Sequence, residues 1–587
     1  MKYSDCVAEW LTQLGYTHCF YVAGGNIMHL LESLSHRLEC RAVINEVAAG
    51  IAAEYFNETS PKGKALALVT AGPGLTNIVT AMAGAYLESR ELLVIGGQVK
   101  TADLARGALR QRGIQEVDGV SIVKSLSVLA ELIEQPLSFS EFSRKVLSSR
   151  MGRKGPVFLE FPLDVQGKTV DFPDHAVDET EGPIALVSDQ DFEAIVSLLN
   201  EARRPLLMIG GGVSRGAVNK ALVGLGRLGI PIVTTWNAAD RIDSEHPLYM
   251  GRPNTWGQRS ANLVLQQADL LLALGTRLGM QQTGFNWRSF LPHGSVVQVD
   301  IDRAELDKGH PKVDLGVCAD ANDTLLRLST SGLTADYSEW LAYARSIRSR
   351  IPLVEPVNET GPQYISPYRF ADTLSDLCRG DDVVIPCSSG GAFTVMMQTF
   401  RQKKGQTIVT NKGLASMGYG LSGAIGAAFA NPDKRVILVE GDGGFAQNLQ
   451  EIGTAAINGL NLKIFIFDDS GYASIRMTQR NYFGGRYVGC DTSTGLGLPD
   501  WEKLFSAWGV PVVRVSTGYE ADNDFQRLFD SNGVAAFIVS IDPNQTYFPK
   551  ITSRITDTGE MESNPLHLMT PNLPEDIYTA VSQHLGE

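Results

Sequence analysis

The chain is 587 residues long, 44% hydrophobic and 20% charged, with a formal net charge of −14. That length holds about three to four domains, the composition is that of a globular protein, and the acidic balance argues against a basic nucleic-acid or membrane-binding face. No apolar run approaches the roughly 18 residues that a membrane-spanning helix needs.

In chain order, Met1–Trp10 reads as the start of an amphipathic helix, without the basic n-region and unbroken apolar core of a secretory signal. The first unit, residues 1–165, alternates apolar strands with helical stretches. Three of its turns stand out: Tyr21-Val-Ala-Gly-Gly25, Cys40-Arg-Ala-Val-Ile-Asn-Glu46 running into an Ala-rich helix, and Thr70-Ala-Gly-Pro-Gly-Leu-Thr-Asn77. Gly-rich loops let backbone approach a ligand closely. Glu46 on its own reads as a first-turn glutamate of the kind that the helix dipole favours. Gln115, in Gly113–Asp118, reads on its own as an ordinary exposed loop glutamine.

Residues 166–187 read as a polar, Pro-containing linker and residues 188–340 as a second unit. In it, Pro205-Leu-Leu-Met-Ile-Gly-Gly-Gly-Val213 is a strand entering a triple glycine, a turn that can set amides against a pyrophosphate. Leu271–Arg277, Ser295–Asp302 and Cys318-Ala-Asp320 are further strand ends with polar turns. Residues 341–365 form a second linker, 366–550 a third unit, and 551–587 a polar, Pro-rich tail with one short helix. The expected fold class is therefore α/β, three consecutive domains with mainly parallel sheets. The seven cysteines are scattered and lack any Cys-x-x-Cys, which reads as reduced thiols in a cytoplasmic protein.

The third unit carries the strongest motif. The strand Arg435–Glu440 ends in Gly441-Asp-Gly-Gly444, Ala446–Asn458 has helical spacing, and the strand Leu462–Phe467 ends in Asp468-Asp-Ser-Gly-Tyr472. A right-handed crossover places both strand ends on one sheet edge. Asp442 and Asp469 then converge beside amides freed by the glycines, an arrangement suited to a hard divalent ion holding a diphosphate. An ordinary strand turn also accommodates Gly-Asp-Gly.

This unit resembles the diphosphate motif of thiamine diphosphate (ThDP) enzymes, and the whole plan is similar to the acetolactate synthase and pyruvate oxidase family. The resemblance implies pyrimidine-binding, central Rossmann-like and diphosphate-binding domains. It implies Mg²⁺ held by Asp442, Asp469 and Gly471, with Gly443, Gly444 and Tyr472 at the cofactor. It makes Glu46 the activator of the cofactor's aminopyrimidine, flanked by Gly24, Gly25, Pro73 and Asn77. Ser388-Ser-Gly-Gly-Ala392 aligns with a diphosphate loop through Gly390, Gly391 and Ala392. In Asn411–Gly420, Met417 takes the place of the residue that wedges the two cofactor rings into a bend, and the Ala415 carbonyl accepts from the 4′-amino group; a core methionine is the alternative.

For the middle unit the resemblance implies FAD, at Gly210, Gly211, Gly212, Met250, Gly251, Gly275, Arg277, Asp300, Ile301 and Asp320; the alternative is a domain that kept its fold and lost its nucleotide. It further implies a homodimer or homotetramer with sites shared between subunits. The implied reaction is decarboxylating carboligation from pyruvate to an acceptor carbonyl, with Gln115 facing the reacting carbonyl. Six positions depart from the family: Asp469 for Asn, Gly391-Ala392 for Gln-His, Leu163 for Lys, Thr478 for Trp and Gln281 for Arg. The last three remove two cations and a large ring where an anionic acceptor would sit, and so point to a larger or uncharged acceptor, as in the branched-chain-sugar (yersiniose-type) carboligases. The alternatives are an FAD-dependent pyruvate oxidase, a simple 2-oxo acid decarboxylase, and a non-catalytic cofactor-binding protein.

Overall fold

The computed structural model describes residues 1–171, 185–555, 559 and 561–586. Most of the linker expected over 166–187 thus lies outside the described residues. Three sheets organise the chain. In the first, Glu39–Ala42, Tyr16–Tyr21, Lys64–Val69, Leu92–Gln98, Pro156–Pro162 and Leu129–Leu132 lie side by side in that order, all parallel. In the second the order is Leu315–Cys318, Ser295–Asp300, Leu270–Leu274, Pro205–Ile209, Ile232–Thr234 and Tyr249–Gly251, again parallel. In the third, Val383–Ile385, Val436–Gly441, Leu462–Asp468, Ala535–Ser540 and Val512–Val515 run parallel in that order. The inner strands, such as Lys64–Val69, Leu92–Gln98, Pro205–Ile209 and Val436–Gly441, are buried on both faces and read as apolar runs instead of alternating patterns.

The chain divides into two compact units. One comprises Met1–Gly182, Asp382–Gly390 and Val409–Ser540; the other comprises Pro183–Asp381, Gly391–Ile408 and Ile541–Glu587. The first unit unites the first and third sheets through two helices, Glu46–Thr59 and Tyr419–Ala430. Both are Ala- and Gly-rich and buried, so their backbones approach closely. A Cβ on Gly426 would lie 2.1 Å from the Ala52 carbonyl oxygen, and one on Gly423 would lie 2.6 Å from a Tyr55 ring carbon.

A buried ion pair locks the same helices. Arg90 donates to Glu54 at 2.7 Å and to the Thr410 carbonyl at 2.6 Å. Glu54 also accepts from the Tyr419 hydroxyl at 2.7 Å and Asn411 Nδ2 at 3.0 Å. Burial raises the Glu54 carboxyl above its ordinary pKa despite these partners.

Two expectations need correction. The helix anticipated over 446–458 is two shorter pieces, Asp442–Phe445 and Glu451–Ile457. Asn448 turns its side chain away to donate to the Gly418 carbonyl at 2.7 Å, a competition that disfavours Asn inside helices. The tail has more structure than one helix. Beyond Glu575–Val581 it pairs Lys550–Ile551 with Met569–Thr570 and Ser553–Ile555 with Met561–Ser563. Leu566, Met569 and Val581 are buried in the core of the second unit; a few well-placed apolar side chains suffice where composition looks polar.

Candidate active site

Parallel pairing places the C-terminal ends of neighbouring strands on one edge. In the first sheet, Ala42, Tyr21, Val69 and Gln98 end adjacent strands, so the turns at 21–25, 43–46 and 70–77 and the loop 99–118 share a rim. Contacts confirm the convergence. A Cβ on Gly24 would collide with the Thr70 side chain at 2.4 Å, and one on Gly72 with the Gln115 carbonyl oxygen at 2.3 Å. Gly72 has φ +67°, a conformation that glycine adopts without strain. Asn77 donates through Nδ2 to Glu46 Oε2 at 2.9 Å. A Cβ on Gly74 would stand 3.5 Å from Glu46 Oε1. Glu46 is only 7% exposed, and the buried Thr70 hydroxyl has no hydrogen-bond partner in the structure. A carboxylate, a glycine wall and an unsatisfied hydroxyl fit a polar aromatic ring. Gly25 and Pro73 lie exposed on the same rim.

Gln115 is exposed and has φ +62°. Its neighbour Glu116, which the sequence reading passed over, organises the loop. The Glu116 carboxylate accepts from the N–H groups of Ala105, Arg112 and Gly113 at 2.5, 2.9 and 2.9 Å. These donors hold its pKa below the ordinary value despite the opposing effect of burial. Glu451 was also missed: it accepts from the N–H groups of Ile44 and Asn45, each at 3.1 Å. The turn before Glu46 is thereby tied to the segment that follows the Gly-Asp-Gly motif. Only a long-range contact could reveal this pairing.

On the third sheet the two acidic turns meet. Asp442 accepts from Gly443 N at 2.6 Å and from Gly471 N at 3.1 Å. Asp442 is 1% exposed and Asp469 5%. Burial pushes both carboxyls up: Asp442 well above the carboxylate range, reinforced by the charge of Asp469, and Asp469 to about 7, against the pull of Arg476. Two buried carboxylates sharing a site call for a cation. Among the described residues no group of three or more His, Cys, Asp or Glu side chains could hold a metal. A cation here would combine these two carboxylates with the Gly471 carbonyl and the oxygens of a ligand, a donor set suited to Mg²⁺. The ring of Tyr472 lies where a Cβ on Gly443 would be, 2.3 Å away.

The segment 411–418 approaches the same region, since Gln447 Nε2 donates to Met417 Sδ at 3.7 Å. Met417 is 37% exposed, which rules out the core-methionine alternative. Ala415 has φ +56°, so its peptide is held in an unusual orientation. Gly390, with φ +78°, opens the helix Gly390–Thr399. Gly391 and Ala392 fall in the second unit, where the Tyr547 ring sits 2.1 Å from the position of a Cβ on Gly391. Leu163 is half-buried and begins the short helix Leu163–Gln166, and Thr478 is exposed on Ala473–Tyr482.

In the second unit, the triple glycine lies at the point where strand order reverses, beside the turn at Gly275. Gly210 N donates to the Leu274 carbonyl and Gly212 N to the Gly275 carbonyl, both at 2.9 Å. A Cβ on Gly210 would lie 2.2 Å from Gly275 O. The glycines are thus required by turn-on-turn packing. Asp300, followed by Ile301, accepts from Asp302 N, and Asp320 caps the helix Ala321–Ser329. Arg277 and Gln281 are half-buried. Met250 and Gly251 lie on the edge strand, with the Met250 side chain in the core. The strand-end turns form a nucleotide-type crevice, but the glycine packing and Met250 do not by themselves demand a flavin.

The family models described as thiamine pyrophosphate enzyme N-terminal TPP binding domain, central domain and C-terminal TPP binding domain match residues 1–122, 192–328 and 389–539. Similar proteins include the acetolactate synthase large subunit of Corynebacterium glutamicum, 29% identical over 92% of this chain and 87% of that protein. The acetolactate synthase isozyme 1 large subunit of Escherichia coli K12 is 29% identical over 94% and 96%. The acetolactate synthase of Mycobacterium bovis is 30% identical over 92% and 88%. The chain belongs to the acetolactate synthase family of thiamine diphosphate-dependent enzymes.

Proposed function

We propose that the protein is a ThDP- and Mg²⁺-dependent carboligase that decarboxylates pyruvate and joins the two-carbon unit to a carbonyl acceptor. The observation that carries this reading is the Asn77–Glu46 hydrogen bond in its glycine-walled setting. Bound ThDP supplies a carbon nucleophile and an electron sink for loss of CO₂. Glu46 holds a proton against the aminopyrimidine, and the Asn77 amide fixes the orientation of its carboxyl group. Asp442, Asp469 and the Gly471 carbonyl hold Mg²⁺ on the diphosphate. Met417 would support the cofactor from the exposed loop, and the Gln115 amide would donate to developing negative charge on substrate oxygen. We read the working form as a homodimer or homotetramer, as the family resemblance implies.

Leu163, Thr478 and Gln281 favour an uncharged or bulky acceptor, with nucleotide-linked keto-sugars as the class. The test is product analysis with labelled pyruvate, ThDP, Mg²⁺ and FAD, with and without keto-sugar, ketone and aldehyde acceptors, beside Glu46→Gln. A new carbon–carbon bonded product lost in the variant supports the reading. Vigorous acetolactate formation with no use of other acceptors overturns the acceptor assignment.

The crevice of the second unit favours a second reading, an FAD-dependent pyruvate oxidase. Purified protein would then carry flavin that bleaches with pyruvate and recolours with an electron acceptor. Flavin that stays oxidised while product forms excludes it.

A further inference from the structure

Asp469 does not stand alone in its turn. Arg476, seven residues on in the helix Ala473–Tyr482, folds back so that one nitrogen, Nη2, donates both to Asp469 Oδ1 at 2.5 Å and to the Asp469 backbone carbonyl at 2.8 Å. Both side chains are 7% exposed. The other terminal nitrogen, Nη1, fills the space beside Gly471, 2.7 Å from where a Cβ would be. The guanidinium therefore lies under the whole Asp469–Gly471 turn. The turn is fixed from the far side as well, by Tyr472 N donating to the Cys490 carbonyl at 2.8 Å. The neighbouring acid, Asp468, is occupied elsewhere, paired with Arg514 at 3.0 Å.

We propose that Arg476 is the built-in counter-charge of the metal site, allowing an aspartate at position 469 to act as a ligand beside Asp442 without burdening an anionic cofactor. The arithmetic is local. Asp442 and Asp469 contribute two negative charges and Arg476 one positive, which leaves the site at −1, the charge of one carboxylate with a neutral partner. Arg476 holds Oδ1 and the main-chain oxygen of Asp469. It is a positioning residue, since it touches the ligand Asp469 and not the ion. A buried carboxylate without its partner would repel the diphosphate, whereas a buried guanidinium without its carboxylate would repel the cation.

The proposal rests on the ThDP and Mg²⁺ reading, and its test separates the two. Apo protein is titrated with Mn²⁺, free ion being followed by electron paramagnetic resonance, and with ThDP at Mg²⁺ near wild-type half-saturation, followed by fluorescence. Wild type, Asp469→Asn, Arg476→Gln and the double variant are compared. We expect Asp469→Asn to weaken Mn²⁺ binding about tenfold and Arg476→Gln to weaken ThDP binding about tenfold, with the double variant within about threefold of wild type in both. Additive losses in the double variant, or an unchanged ThDP affinity in Arg476→Gln, overturn the proposal. If Arg476→Gln fails to fold, the double variant must still bind Mn²⁺ at least about threefold tighter than Asp469→Asn, and failure to do so overturns it equally. Wild type that binds neither Mn²⁺ nor ThDP overturns the cofactor reading itself.

Discussion

Asn77 and Glu46 are 31 residues apart in the chain and joined by a 2.9 Å hydrogen bond, the amide of one holding Oε2 of the other. Oε1 lies 3.5 Å from where a Cβ on Gly74 would stand. Replacing Glu46 by Gln keeps the shape and removes the exchangeable proton. Turnover is expected to fall by about 10²–10⁴-fold, with ThDP affinity changed far less. Proton exchange at C2 of bound ThDP, followed by nuclear magnetic resonance, checks the step directly.

Glu116 ties down the loop that carries Gln115 through three backbone N–H groups. Glu116→Ala leaves those donors without their acceptor, at a local cost of about 1–3 kcal/mol. The expected outcome is faster proteolytic cleavage within 104–118 and reduced kcat/KM, with little change in global unfolding. Equal protection of the loop in both proteins would contradict this.

The Glu54–Arg90 pair is buried and shared with Tyr419 and Asn411. Arg90→Met strands a carboxylate in the core and should destabilise the first unit by about 3–5 kcal/mol. Adding Glu54→Gln should recover part of that loss, because the two residues form one network. Chemical denaturation of the two variants measures both effects.

Glu160 lies within the strand Pro156–Pro162, accepts from Gln98 Nε2 at 3.2 Å, and is pushed up to about 8 by burial. Its folded-state pKa thus exceeds the ordinary 4.5. The native state holds the extra proton between these values, so this group's contribution is full below pH 4.5 and is lost as pH rises toward 8. The slope is at most about 1.4 kcal/mol per pH unit. Glu160→Gln should flatten the fall in stability between pH 5 and 8, as read from denaturation midpoints at a series of pH values.

Much of this was legible in the amino-acid sequence because parallel α/β units write themselves locally. Apolar runs mark strands, and the turn after each run is the turn that reaches the rim. Hence Asp442 and Asp469 could be named from strand spacing, and Glu46 and Asn77 from the family resemblance of their turns; the structure pairs Glu46 with Asn77 on one rim and brings Asp442 to the Asp469–Gly471 turn on another. What could not be read were partners chosen by tertiary packing. Glu451 beneath Ile44 and Asn45 is separated from them by 407 and 406 positions. Arg476 is near Asp469 in sequence, yet it reads as an ordinary helix residue until the helix is seen to turn it inward. The two-piece helix after Gly-Asp-Gly was hidden because its break depends on Asn448 finding the Gly418 carbonyl. The ordered tail was hidden because three buried side chains outweigh a polar composition.

The meeting of Gly426 with the Ala52 carbonyl has a mechanical consequence. Backbone rests on backbone there, so no side chain can re-pack to let one helix glide past the other, and the joint behaves as a rivet and not a bearing. Variation around this joint falls to the rims, chiefly 104–118, 411–418 and the stretch after Tyr472. Those same stretches expose Leu109, Ile114, Met417, Ile475, Tyr482, Phe483 and Val488. A scaffold riveted at its centre leaves its margins free to be re-cut for a new acceptor without disturbing the machinery beneath.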